Sequence, residues 1–212
     1  VLLAFDTASP QVTVALAEGD DVLAELRSEQ SMKHGEQLAP LIEAVLAQAG
    51  AVRQDVTAIA VGVGPGPFTG LRVGLVTART LGFVLEVPVY GVCSLDVLAV
   101  EAVAVGAVDQ PFVVATDARR KEVYWAPYDE SGARLDEPQV SRPSDVATAM
   151  PVVGEGAALY PESFPTSVGP QRPGAGWLAV AVADERVELL DPEPLYLRRP
   201  DAVMPGKPKR VS

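Results

Sequence analysis

VLLAFDTASPQVTVALAEGDDVLAEL, residues 1–26, is the stretch from which the fold is read. Val1 to Phe5 form an apolar run that stops at Asp6, the pattern of a strand. Val12, Val14 and Leu16 then alternate with intervening residues, a turn falls at residues 18–21, and Val22 to Leu26 supplies a third strand. Working outward, Leu38, Leu41, Ile42, Val45, Leu46 and Ala49 recur at helical spacing over 35–49, with Gly50 as the stop. Pro40 lies in the early turns of that helix, where its cost is reduced. A strand at 58–63, a helix at 69–85, a strand at 87–90 and a helix capped by Ser94 and ending near Val105 complete the unit.

The order begins again at FVVATDARRKEVYWAPYDESGARLDEPQV, residues 112–140. Phe112 to Thr116 ends in Asp117 as the opening strand ends in Asp6, and strands are expected at 122–128 and 134–140 around the turn Glu130-Ser131-Gly132. A short helix at 144–150 and a strand at 152–154 follow. A proline-rich stretch, 161–173, crosses to a helix at 175–183, and 192–210 reads as an extended tail carrying Lys207, Lys209 and Arg210. The fold class is therefore α/β, a βββαβα unit written twice. This order resembles two ribonuclease-H-like subdomains of the actin, sugar-kinase and heat-shock ATPase superfamily, here 1–106 and 107–212.

In that superfamily the first-strand acid holds a metal and the hairpin turn after it cradles phosphate, which needs glycine for close backbone approach. Asp6 is followed by Thr7-Ala8-Ser9 and Asp117 by Ala118-Arg119-Arg120, so neither turn contains glycine. Asp6, Thr7 and Asp117 are the nucleotide-proximal candidates, yet ATP hydrolysis by the chain alone is not expected.

At 212 residues, 48% apolar and 21% charged, the chain has the means to bury a core. Its formal charge of −11 repels phosphate backbones, which argues against autonomous nucleic-acid binding. Cys93 has no second cysteine to pair with and reads as a small buried hydrophobe. No apolar run is seen to reach the ~18 residues of a spanning helix, and VLLAFD has no basic region. A cytoplasmic protein without membrane contact is expected.

GVGPGPFTGLRVG, residues 62–74, links a buried strand to a helix through a glycine-proline turn. As a phosphate loop it is weak, because it reads GxGxxxG and no Lys-Ser/Thr pair follows Gly70. More informative is the recurrence of Gly70, Gly74, Ala78 and Gly82 at every fourth position, a smooth stripe on one helix face. Each helical glycine costs about 1 kcal/mol relative to alanine, so close approach of something must compensate. Two readings stand: packing on the chain's own sheet, or a seam with another helix, in which the two helices form half of a four-helix bundle.

FDTAS at 5–9, KHGEQLAPLI at 33–42, GVGPGPFTGLRVG at 62–74, TDARRKEVY at 116–124 and EPLYLR at 193–198 together resemble the bacterial TsaB proteins of tRNA threonylcarbamoyladenosine biosynthesis, also called YeaZ. The blocks span nearly the whole chain, although 130–173 carries little of the likeness. The resemblance implies a non-catalytic subunit that pairs with the catalytic paralogue TsaD and assembles with the ATPase TsaE. TsaD transfers a threonylcarbamoyl group onto the adenosine beside the anticodon. It implies that the first two helices form the interface, which gives a partner role to His34, Leu38, Leu41, Ile42 and Val45 and to Gly70, Leu71, Gly74 and Ala78. On this reading the isolated chain holds no cofactor, ATP or ADP belongs at the complex interface, the chain alone forms a homodimer, and tRNA is reached only through the complex.

The catalytic paralogue carries two histidines one helical turn apart that hold a metal. Here His34 is the only histidine and Leu38 stands four positions on, so no metal site is expected and His34 reads as a helix-start or interface residue. The alternatives are a small-molecule kinase or ATPase using Asp6 and Asp117, and a self-associating regulatory protein. The cluster Arg119-Arg120-Lys121 reads as a solvated hairpin, and Trp125 and Trp177 as core or subdomain contacts.

Overall fold

The computed structural model describes residues 1–28 and 33–198; the basic residues Lys207, Lys209 and Arg210 lie outside the described residues. The first sheet is made of β1 (Leu2–Asp6), β2 (Thr13–Glu18), β3 (Asp21–Arg27), β4 (Ala58–Gly64) and β5 (Val89–Cys93) in the order β3-β2-β1-β4-β5. β1 to β3 run antiparallel, with Gly19 at φ 57° closing the β2–β3 turn, whereas β4 and β5 add in parallel. The second sheet is made of β6 (Phe112–Asp117), β7 (Val123–Tyr128), β8 (Gln139–Ser141), β9 (Val152–Val153) and β10 (Ser167–Val168) in the order β10-β9-β6-β7-β8. Read from β8, this is the same five-strand order, with the same antiparallel hairpin followed by parallel additions. The repeat anticipated from the two acid-terminated strands is therefore present as two mixed sheets.

Helix α1 (His34–Gln48) and helix α2 (Phe68–Leu85) cover one face of the first sheet, where Leu3, Phe5, Val14, Leu16, Ile59, Val61 and Val63 meet Leu38, Ile42, Val45, Leu71 and Leu75. The opposite face is lined with small residues, Ala4, Ala17 and Ala60, and a helix at Ala175–Ala183 lies directly on it through Leu178 and Ala179. Between the sheets runs α3 (Ser94–Ala104), whose Leu95, Leu98, Ala99 and Ala102 pack against Phe112, Val114, Ala126 and Tyr128 of the second sheet. The outer face of that sheet holds Val113, Val123 and Val152 against α4 (Glu155–Leu159) and Phe164. The helix at Ala175–Ala183, α5, comes late in the chain yet packs on the first sheet, so chain order and packing part company there.

Several local expectations are corrected. The third strand of the second half is not 134–140: only Arg134 bridges to Tyr128, and regular pairing begins at Gln139. Asp136 Oδ1 takes the Glu137 N–H at 2.8 Å, and Pro138 has no N–H to give to a ladder. The expected helix at 144–150 is a single 3-10 turn at Pro143–Asp145, because the Thr148 N–H is given to the distant Ser163 carbonyl instead of to its own helix. α4 and β10 form where no regular element was expected. Ser94 is not a cap but the first helical residue, its hydroxyl engaged elsewhere.

Candidate functional site

Asp6, at the end of β1, is buried, and it points into the fold. Its Oδ1 accepts the Ala8 N–H at 2.6 Å and its Oδ2 accepts the Ser94 hydroxyl at 2.6 Å. Burial raises its pKa, and the Ser94 and Ala8 hydrogen bonds work against that rise. The room for this carboxylate is made by Gly62, since a Cβ there would stand 1.8 Å from Asp6 Oδ2. Asp6 thus staples β1 to the start of α3. Thr7 is equally committed: its hydroxyl donates to the Gly70 carbonyl at 2.8 Å. The glycine-proline turn is closed by the chain itself, because a Cβ on Gly66 would meet the Ala8 carbonyl oxygen at 2.4 Å.

Asp117, the matching acid of the second sheet, sits at the mouth of the cleft between the sheets. It caps its own hairpin, accepting the Arg119 N–H at 2.8 Å and pairing with the Arg119 guanidinium at 3.3 Å. Arg119, Arg120 and Lys121 all have left-handed backbone, with φ of 59°, 56° and 62°. Each such residue costs on the order of 1 kcal/mol, so the hairpin must be held by its surroundings. The cleft between Ala8, Ser94, Asp117 and Arg172 encloses only ≈ 20 Å³, room for about one water. Asp117 lines this cleft, whereas Asp6 and Thr7 do not, their polar groups being engaged with Ala8, Ser94 and Gly70.

The expected interface residues of α1 and α2 face inward. Leu71 and Ala78 are fully buried, as are Gly70 and Gly74 in effect, since a Cβ on Gly70 would stand 2.5 Å from the Thr7 carbonyl and one on Gly74 2.4 Å from Thr7 Oγ1. Gly82 lets Val89 approach in the same way. His34, Leu38, Ile42 and Val45 are also buried, and Leu41 is half-buried. The stripe is real, and the structure sets its glycines against the chain's own β1–β2 turn and β5. The outer face of α2 is the one left open. Val76, Phe83 and Val84 are 63%, 85% and 67% exposed. With exposed Thr80 they fall at i, i+4, i+7 and i+8 of one helix face. At 18 residues α2 is also long and apolar enough, by length and composition, to cross a membrane, contrary to expectation; here its inner face is packed into the first sheet's layer.

A family model described as TsaD, tRNA N6-adenosine threonylcarbamoyltransferase, matches residues 22–163. YeaZ from Pseudomonas aeruginosa superposes with a TM-score of 0.78 at 31% identity, covering 92% of this chain and 99% of that one. This chain belongs to the TsaB/YeaZ family. An uncharacterized protein of Mycobacterium tuberculosis is 44% identical over 95% of this chain and 93% of its own length. The tRNA threonylcarbamoyladenosine biosynthesis protein TsaB of Escherichia coli is 36% identical over 62% of this chain and 57% of its own length.

Within this TsaB/YeaZ-family chain, the lone histidine serves the fold. His34 Nε2 donates to the Ser9 carbonyl at 2.8 Å, tying the first turn of α1 to the β1–β2 turn. Leu38, four positions on from His34, is 2% exposed in the main core. Among the described residues no group of three or more His, Cys, Asp or Glu is placed to hold a metal. Sequence reasoning missed the outer face of α2, although its signal was present: Val76, Phe83 and Val84 share a face opposite the glycines.

Proposed function

We propose that this chain is the non-catalytic partner subunit of the machinery that builds threonylcarbamoyladenosine in tRNA. It docks onto the catalytic paralogue TsaD through the outer face of α2, and the pair assembles with the ATPase TsaE. Membership of the TsaB/YeaZ family supports the role in that biosynthesis. The observation that carries the docking mode is the exposed row Val76, Phe83 and Val84 on a helix whose other side is locked by glycines. Covering such side chains is worth roughly 1.5–3 kcal/mol each, which favours a partner of matching apolar surface. The chemistry then belongs to the paralogue, since His34 is spent on Ser9 and Leu38 cannot ligate a metal. A net charge of −11 favours tRNA being held by the assembled complex and not by this chain. ATP or ADP would then sit at the subunit seam, the isolated chain would pair with itself through the same face, and the complex would work in the cytoplasm.

The test combines the purified chain, TsaD and TsaE with tRNA, threonine, bicarbonate and ATP. Omitting the chain should reduce modified tRNA to background, and Phe83→Asp should do the same while its unfolding midpoint stays near wild type. Undiminished product without the chain ends this reading.

A further inference from the structure

The segment from Leu190 to Arg198 runs along both halves of the molecule. At its start Leu190 and Gly91 exchange backbone hydrogen bonds, each 2.8 Å, at the free edge of β5. Gly91 has to be glycine for this, since a Cβ there would lie 2.6 Å from the Asp191 carbonyl oxygen. Farther on, the Leu195 N–H donates to the Val63 carbonyl at 2.9 Å. Leu190 and Leu195 each pack against the core under α1 and α2 and also against the core between α3 and the second sheet.

The next residues divide between the two sides. The Tyr196 ring stacks on Phe68 at 5.2 Å, and its hydroxyl accepts from Arg72 Nε at 3.0 Å, while the Arg72 guanidinium lies 3.8 Å above the Phe68 ring. Phe68 and Arg72 belong to the first turns of α2, and Phe68 and Tyr196 are 44% and 38% exposed. Two residues later Arg198 crosses to the β6–β7 hairpin, donating to the Ala118 carbonyl at 2.7 Å and pairing with Glu122. That hairpin is the one with consecutive left-handed residues, and it forms one wall of the cleft.

We infer that residues 190–198 are a strap that couples occupancy of the α2 face to the β6–β7 hairpin and the cleft beside it. The inference rests on the outer face of α2 being the docking face, because Phe68, Arg72 and Tyr196 continue that face toward the helix start. A partner seated there binds better when the strap is down, with Tyr196 on Phe68. The strap-down state is also the one in which Arg198 holds the hairpin and the cleft is narrow. Coupling of this kind is reciprocal, so loosening the hairpin end must weaken docking at the helix end.

Hydrogen exchange on the full chain tests the first link. The Ala118 and Glu122 amides, bonded to the Glu122 and Arg119 carbonyls, report the hairpin. Tyr196→Ala should speed their exchange about 5-fold or more while β2 amides are unchanged, and Tyr196→Phe, which keeps the stack, should change them less. Calorimetry with TsaD tests the second link: Arg198→Ala should weaken binding about 5-fold. Unchanged exchange in Tyr196→Ala, or unchanged affinity in Arg198→Ala where wild type binds, overturns the strap. Absence of TsaD binding by the wild-type chain overturns the functional reading instead, and the exchange measurement then decides the strap alone.

Discussion

The two long sides of α2 are made of different materials and do different work. Its inner side is Gly70, Gly74, Ala78 and Gly82, set against Thr7 and Val89 so closely that three of these positions have no space for a methyl group. Its outer side is Val76, Thr80, Phe83 and Val84, large or branched residues left in water. A helix that tolerates several glycines, each costing about 1 kcal/mol, does so because close approach returns more than propensity removes. The comparison shows that smoothness marks where the chain grips itself, whereas exposed bulk marks where it is open to something else.

The inner side is the place to break this contrast with the largest effect. Helix propensity alone predicts that Gly70→Ala stabilises by about 1 kcal/mol. The Thr7 carbonyl oxygen, 2.5 Å from the new Cβ and part of the backbone, predicts the reverse. We expect a net loss of about 2 kcal/mol in denaturant unfolding; a gain would show that the turn at Thr7 moves freely. Gly35 in α1 is the control, since its Cβ would meet only Val73 Cγ2 at 4.0 Å. Gly35→Ala should stabilise by about 0.5–1 kcal/mol in the same assay. On the outer side, Phe83→Asp should shift stability by no more than about 0.5 kcal/mol while removing the docking measured with TsaD.

How legible this was depends on the range of the contact involved. Apolar runs ending at Asp6 and Asp117 are local signals, and a five-stranded mixed sheet is built around each. The glycine spacing was local too, but its direction was not. Thr7 meets Gly70 across 63 positions, and nothing in the spacing distinguishes that neighbour from a helix of another chain. The same limit applies to α5, whose apolar residues run all round the helix and so announce burial without naming the sheet. Where local chemistry did decide, at Asp136 and Pro138, the strand was placed too early because a side chain capturing a neighbouring N–H competes with pairing.

α3 extends the comparison to a helix with hardly any free side, since it lies between the two sheets and is buried along most of its length. Glu101 stands on its one half-buried edge, with Oε2 shut away from solvent and no hydrogen-bond partner among the described residues. Burial pushes its pKa from the ordinary 4.5 to about 7, with Arg27 pulling it down and Glu25 pushing it further up. Between those two values the folded chain keeps a proton that the unfolded chain has released. Stability therefore falls as pH rises through that window, and the whole penalty is present above it. Glu101→Gln removes the ionisation, so the variant's advantage in Tm should grow between pH 5 and pH 8. Solvent reaching the rest of the side chain limits that growth to about 1–2 °C. A difference that stays constant with pH would place the Glu101 carboxylate in water, and would make this side of α3 as open as the outer side of α2.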